Sequence, residues 1–307
     1  MRQDRDNGGN RGRKSQEGAP FAFDGDFWAL CLVVGIVVWL SGCSTVPYTG
    51  RQQLLMVSQG QEISLGYQAF EQVKRQSRPA RDPRLHEVTQ RVGERLARAA
   101  DRPDFRWEFV VLEHPQANAF CLPGGKVGVY SGLFKHIQSD TDLATVISHE
   151  TAHVLARHAG ERLSQSQLAQ LGGLGLGMAM MGAGPAAGQT AMLGYNLGTQ
   201  YGVLLPYNRK QEYEADRIGM ILMAKAGYDP AQAVDFWRRF AYAKRDKMAM
   251  PAFLSSHPSD GDRIRAMEAS LVEARRYFQP QLANQTRPEM PQPASRWQRH
   301  ENRPVKP

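Results

Sequence analysis

The 307-residue chain is expected to fold as an α+β domain, mainly helical, with a small β-sheet or hairpin beside one central helix. Three observations predict this. Several stretches repeat apolar residues every three or four positions, the period of a helix with one buried face. A single region between residues 105 and 131 alternates instead and contains Pro123-Gly124-Gly125, a turn between two strands. Finally, Thr145 to His158 (TVISHETAHVLARH) is a helical run carrying His149-Glu150-Thr151-Ala152-His153. Residues four apart on a helix lie about 40° apart around its axis, so both imidazoles project from one face.

That pentapeptide carries the chemistry. Histidine is the commonest zinc ligand among side chains, and two on one face supply half of a tetrahedral site. Glu150 flanks the same face and can reach a metal-bound water without ligating. The pattern is that of a zinc-dependent hydrolase, with Zn2+ expected at one per chain.

Composition agrees with a folded, globular domain. Hydrophobic residues make up 42% and charged residues 22%, which suits a globular core. The net charge of +8 comes from scattered basic residues without a nucleic-acid motif, so no nucleic-acid partner is expected. Three cysteines, Cys31, Cys43 and Cys121, provide no disulfide framework.

In chain order, residues 1–42 read as a leader with a lipoprotein-type signal. Phe27 to Leu40 is an apolar run shorter than a spanning helix, and it ends in Leu40-Ser41-Gly42-Cys43. That tetrapeptide resembles the lipobox of bacterial lipoproteins, which makes Cys43 the lipidation site and the mature N-terminus. Ser44 after it resembles an outer-membrane sorting signal. The competing reading is an uncleaved N-terminal membrane anchor. Residues 43–60 are expected to be a tether, 61–278 the folded domain, and 279–307 a disordered, proline-rich basic tail.

Within the domain, Ile63, Leu65, Ala69, Phe70 and Val73 mark one amphipathic helix, and Asp82-Pro83 opens another through Ala99. Phe105 to Leu112 reads as a strand, followed by the hairpin of 117–122 and 126–131. Its strand Asn118-Ala119-Phe120 could hold an extended substrate by edge pairing, with Gly128 permitting close approach; the alternative is a purely structural hairpin. Cys121 is expected to pack in this sheet as a small apolar residue. Asp140 or Thr141 should cap the metal helix, which is expected to run on to His158 and Gly160. In an unbroken helix His158 turns away from His149, so it is not a predicted ligand. Leu168 to Leu205, interrupted by many glycines and Pro185, reads as two closely packed helices covering the metal helix, or as a mobile lid touching a membrane.

Tyr207-Asn208-Arg209-Lys210 then leads into a helix from Gln211, which supplies carboxylates beside a buried stripe of Ala215, Ile218, Leu222 and Ala226. Glu212 lies nearest the stripe and is the expected third ligand, with Asp216 one turn on along the same face. Glu214 points elsewhere and is the weaker candidate. The alternative is that Glu212 and Asp216 merely pair with Arg209 or Arg217. A further helix buries Ala233, Phe236, Trp237 and Phe240, a polar loop holds Ser256-His257-Pro258, and a charged amphipathic helix spans 262–278.

Taken together, HETAH with the following ARH, NRKQEYEADRIGM and SHP resemble the gluzincin family that includes the HtpX membrane protease and the CAAX prenyl proteases. The match is best with its periplasmic lipoprotein branch, the BepA-like and LoiP-like catalytic domains. The chain differs from HtpX in lacking extra membrane helices and from the BepA branch in lacking a helical-repeat extension. The resemblance implies a zincin-type metallopeptidase domain over roughly 61–278. His149, His153 and Glu212 would bind zinc, Glu150 would be the catalytic base, and Asp216 a catalytic proton donor or an orienting group. His257 would be regulatory or substrate-proximal, restraining activity, or else a loop cap. It also implies protein or peptide substrates among misfolded or stalled envelope proteins, membrane attachment through the lipid anchor, and contact with outer-membrane assembly machinery. A second class of function stays open: a lipid-anchored periplasmic chaperone or assembly factor with a structural or latent zinc site.

Overall fold

In the computed structural model, residues 43–182, 184–243, 257, 261–279 and 282 are described. The leader before Cys43, nearly all of the 253–260 loop and most of the C-terminal tail therefore lie outside the described residues. The stretch expected to be a tether carries a hairpin, β1 (Cys43–Thr45) paired antiparallel with β2 (Gln52–Leu54). Its turn uses left-handed backbone at Tyr48 and Gly50.

Helix α1 (Gln59–Gln76) begins at a capping box, in which Ser58 and Gln61 satisfy each other's backbone amides. Helix α2 (Pro83–Ala100) starts as expected, with Asp82 as cap and Pro83 in the first turn. Strands β3 (Glu108–Leu112), β4 (Ala119–Leu122) and β5 (Lys126–Tyr130) form one sheet in the order β3-β5-β4. The predicted hairpin is present, and β3 adds to it parallel to β5. Gly128 does not serve backbone approach. A Cβ there would meet the Phe120 ring at 2.2 Å, so the glycine makes room for the aromatic side chain across the strand pair. Strand β4 ends the sheet order and lies against the metal helix.

The metal helix α3 (Asp140–Leu155) is capped by Ser139, one residue earlier than expected. Every residue from Asp142 to Leu155 is buried, because α2, β4 and the later helices enclose it. The helix does not run on to Gly160. It stops at Leu155, Arg157 adopts φ 55°, and α4 (His158–Ala179) sets off in a new direction. Left-handed backbone at a non-glycine residue is costly. Arg157 is held there by Glu62 (Nε–Oε1 3.0 Å) and the Val57 carbonyl (2.9 Å).

Helices α4 and α5 (Pro185–Leu197) pair as expected, with Gly172 under Tyr195 and the Tyr195 hydroxyl donating to the Ala169 carbonyl at 2.8 Å. They do not cover the metal helix. Leu171, Leu174, Met178 and Met181 are instead 58–83% exposed along this pair. No charged residue occurs from Leu163 to Asn208, so the pair rests on apolar and backbone contacts. No helix among the described residues is long and apolar enough to cross a membrane. A wide π-helical turn at Gly198–Leu204 leads into α6 (Leu205–Lys225), and this helix covers α3. Gly219 brings the two together; a Cβ there would stand 3.2 Å from the His149 amide nitrogen. Helices α7 (Ala231–Ala243) and α8 (Gly261–Arg275) complete the domain, with Phe236 and Trp237 in the core as expected.

Candidate metal centre and active site

Helix periodicity puts His149 and His153 one turn apart on α3, and packing turns that face toward α6. Their Nε2 atoms lie 3.2 Å apart. Glu212 on α6 meets both, with Oε2 3.3 Å from His149 Nε2 and Oε1 3.4 Å from His153 Nε2. His257 enters from the loop before α8, its Nδ1 3.1 Å from His149 Nε2 and 3.0 Å from Glu212 Oε2. One donor atom from each of these four residues lies within 4.8 Å of the others.

These separations suit a cation. Zinc–nitrogen and zinc–oxygen bonds of about 2.0–2.1 Å in a tetrahedron place neighbouring ligands about 3.3 Å apart. The observed separations of 3.0–3.4 Å lie around that value. Two imidazole lone pairs facing each other at such a distance are otherwise repulsive. A further observation points the same way. Glu150 is 6% exposed, yet its Oε1 makes no hydrogen bond. The His257 Nε2 stands 3.4 Å away. Burial pushes the Glu150 carboxyl above its ordinary value.

The outer edges of both histidines are also engaged. His149 Nδ1 donates to Asp216 Oδ1 at 3.0 Å, on the ring edge away from the cluster. Asp216 is gripped by Arg263 of α8, Nε to Oδ2 at 2.5 Å and Nη2 to Oδ1 at 2.8 Å. The Arg263 guanidinium lies 4.1 Å over the Trp237 ring, and Trp237 packs edge-on against His149. Burial would raise Asp216, but Arg263 outweighs it and holds the carboxylate ionised. Burial would likewise lower His149, but Asp216 and Glu212 together lift it to about 9. A cation arriving between His149 and Glu212 therefore displaces a proton. On the other histidine, His153 Nδ1 lies 2.8 Å from His158 Nδ1. His158 Nε2 is 3.0 Å from Glu214 Oε2, and Glu214 accepts from Arg51 Nε at 2.9 Å.

Residues 79–271 match the model of peptidase family M48. The chain belongs to family M48. It is 33% identical over 243 residues to the mitochondrial metalloendopeptidase OMA1 of Schizosaccharomyces pombe, covering 78% of this chain and 70% of the relative. It is 30% identical over 248 residues to the β-barrel assembly-enhancing protease of Escherichia coli K12, covering 80% of this chain and 48% of the relative. The putative β-barrel assembly-enhancing protease of Vibrio cholerae is 36% identical over 212 residues, 66% of this chain and 43% of its own length. The chain thus spans about half the length of these bacterial relatives. As an M48 member it is a zinc metallopeptidase, and the α+β architecture is that of the family's protease domain.

In this M48 domain, His149, His153, Glu212 and His257 come together around one point, with Glu150 at its side. Asp216 stands behind His149. Glu212 meets the two histidines and Asp216 meets His149 and Arg263, while Arg217 binds Glu273 at 2.6 Å. Asn118 leads into β4, which holds Ala119 and Phe120 beside α3, and Cys121 lies half-buried there, its thiol pushed up by burial and by nearby Glu150. Arg263 and Arg51 were not singled out from the sequence, and His158 and Glu214, each set aside there, turn out to pair behind His153. The helix break at Arg157 is what turns His158 back toward His153, and no glycine or proline at 156–158 signals it.

Proposed function

We propose that this M48 peptidase is an endopeptidase of the bacterial envelope, cutting misfolded or stalled outer-membrane and periplasmic proteins. Its site is read as follows: His149, His153 and Glu212 hold one zinc, Glu150 is the general base, and Asp216 orients His149. The observation that carries this is the 3.2–3.4 Å convergence of ring nitrogens and carboxylate oxygens beside the unbonded Glu150 Oε1. Zinc bound there supplies Lewis acidity, activating water and polarising the scissile carbonyl. Glu150 takes the water proton through Oε1 and returns it to the leaving amine. Asp216 accepts from His149 Nδ1, which keeps the His149 lone pair on Nε2. That position leaves Asp216 an orienting group and not a proton donor.

Substrate would pair with β4. The Tyr130 amide donates to the Asn118 carbonyl, so in this antiparallel pair Asn118, Phe120 and Leu122 turn their backbone groups toward β5. Ala119 and Cys121 turn theirs to the other edge, where an extended peptide can add as a strand. His257, 3.1 Å from His149 and 3.0 Å from Glu212, would also hold the metal and so occupy a place that substrate oxygen needs, which would restrain the enzyme. The lipobox-like Leu40-Ser41-Gly42-Cys43 supports lipid anchoring at Cys43, in the outer membrane. The name of the bacterial relatives supports a link to β-barrel assembly; that of the mitochondrial relatives supports the endopeptidase activity alone. Glu150→Gln tests the reading. It should keep one zinc per chain and lower casein cleavage by about 10²- to 10⁴-fold. If the variant also complements a deletion strain, the zinc-stabilised chaperone is the better account.

A further inference from the structure

We propose that the β1–β2 hairpin is a working part of the metal site, because Arg51, acting through Glu214 and His158, sets the ring orientation and tautomer of His153. The proposal rests on the reading of His153 as a zinc ligand. The contact between His153 Nδ1 and His158 Nδ1, at 2.8 Å, needs one proton between two nitrogens. Which nitrogen carries it is decided further out. His158 Nε2 faces Glu214 Oε2 at 3.0 Å, and an ionised carboxylate can only accept. His158 therefore keeps its proton on Nε2 and offers a lone pair at Nδ1. His153 must donate from Nδ1, which leaves its own lone pair on Nε2, the atom that faces His149 and Glu212.

The direction of this chain originates at the hairpin. Arg51 donates to Glu214 Oε2 through Nε (2.9 Å) and Nη2 (2.8 Å), and Thr49 donates to Glu214 Oε1. The same guanidinium spans to Glu161 at 2.6 and 2.8 Å. His158 is 0%, Glu161 1% and Glu214 7% exposed, so bulk water has little access to replace a lost partner. A guanidinium fork can bridge two carboxylates, whereas an ammonium is a single point donor. The arrangement mirrors His149–Asp216–Arg263. A carboxylate of α6 stands behind each histidine, directly for His149 and through His158 for His153, one served by an arginine from α8 and the other by an arginine from the N-terminal hairpin.

The test is zinc affinity of the purified full chain, measured by competition with a chromophoric chelator. His158→Ala should weaken binding by about 10- to 100-fold, the usual effect of removing a partner of a ligand histidine. Arg51→Met should fall in the same range, Arg51→Lys should recover part of the loss, and His158→Gln, which keeps an acceptor, most of it. Arg51→Met combined with His158→Ala should bind no more weakly than His158→Ala alone, since both act through one chain. Tyr48→Phe is the control: it loosens the same hairpin by removing the Lys225 contact (2.9 Å) but lies outside the chain, so affinity should stay unchanged. Histidine ¹⁵N spectra of the metal-free protein should place the His153 proton on Nδ1, a readout that needs no variant. An unchanged affinity for His158→Ala, additive losses, an equal loss in Tyr48→Phe, or a proton on Nε2 would each overturn the proposal. An unsubstituted chain that takes up no zinc would instead sink the peptidase site on which it rests.

Discussion

Arg263→Met should be among the most destabilising single substitutions in this domain. Arg263 is 1% exposed and Asp216 4%, and two hydrogen bonds of 2.5 and 2.8 Å join them. Methionine fills much of the space over Trp237 but strips the buried Asp216 carboxylate of its guanidinium, leaving it His149 alone. Breaking a buried pair from one side costs about 3–5 kcal/mol, against a whole-domain stability of about 5–15 kcal/mol. With a urea slope near 3 kcal/mol/M, the unfolding midpoint of the metal-free protein should fall by about 1–2 M. Adding Asp216→Asn removes the stranded charge while retaining an acceptor for His149, so the double variant should regain more than half of the loss. Trp237 beneath the guanidinium makes intrinsic fluorescence a suitable probe. A loss below about 1 kcal/mol, or a double variant as unstable as the sum of the singles, would refute the claim that the pair is a buried, coupled unit.

Other consequences follow from the same geometry. His257→Ala should raise casein turnover while zinc remains at one per chain; unchanged kinetics together with an unchanged cobalt spectrum would remove the restraining role. Gly219→Val places a branched side chain where a Cβ already stands 3.2 Å from the His149 backbone, so α6 must move away from α3. The thermal midpoint should drop, by the equivalent of about 1–3 kcal/mol, and zinc affinity with it. Burial would raise Glu214, but His158, Arg51 and Thr49 outweigh it and hold the carboxyl at about 2. Its folded value lies below the unfolded one. That stabilisation, roughly 3 kcal/mol at most, is therefore complete above about pH 4.5 and is lost as pH falls toward 2. Melting temperatures of Glu214→Gln should accordingly vary less between about pH 5 and pH 3 than those of the unsubstituted chain.

Features that depend on neighbours along the chain were legible in the amino-acid sequence. The i,i+4 spacing of His149 and His153 is an angle about one helix axis, and so is that of Glu212 and Asp216. Pro123-Gly124-Gly125 is a local turn signal, and both later glycines do take positive φ. What tertiary structure decided is which separate faces abut. The parallel partner of β5, the Arg157 break that returns His158 to His153, and the arrival of Arg51 and Arg263 from opposite ends of the domain all join segments far apart in sequence. Helical spacing states where a side chain points, and only packing determines what it meets. Local periodicity thus specified one face bearing the two candidate zinc-ligand histidines, while the charged supports behind each histidine emerged only once distant segments had been buried together.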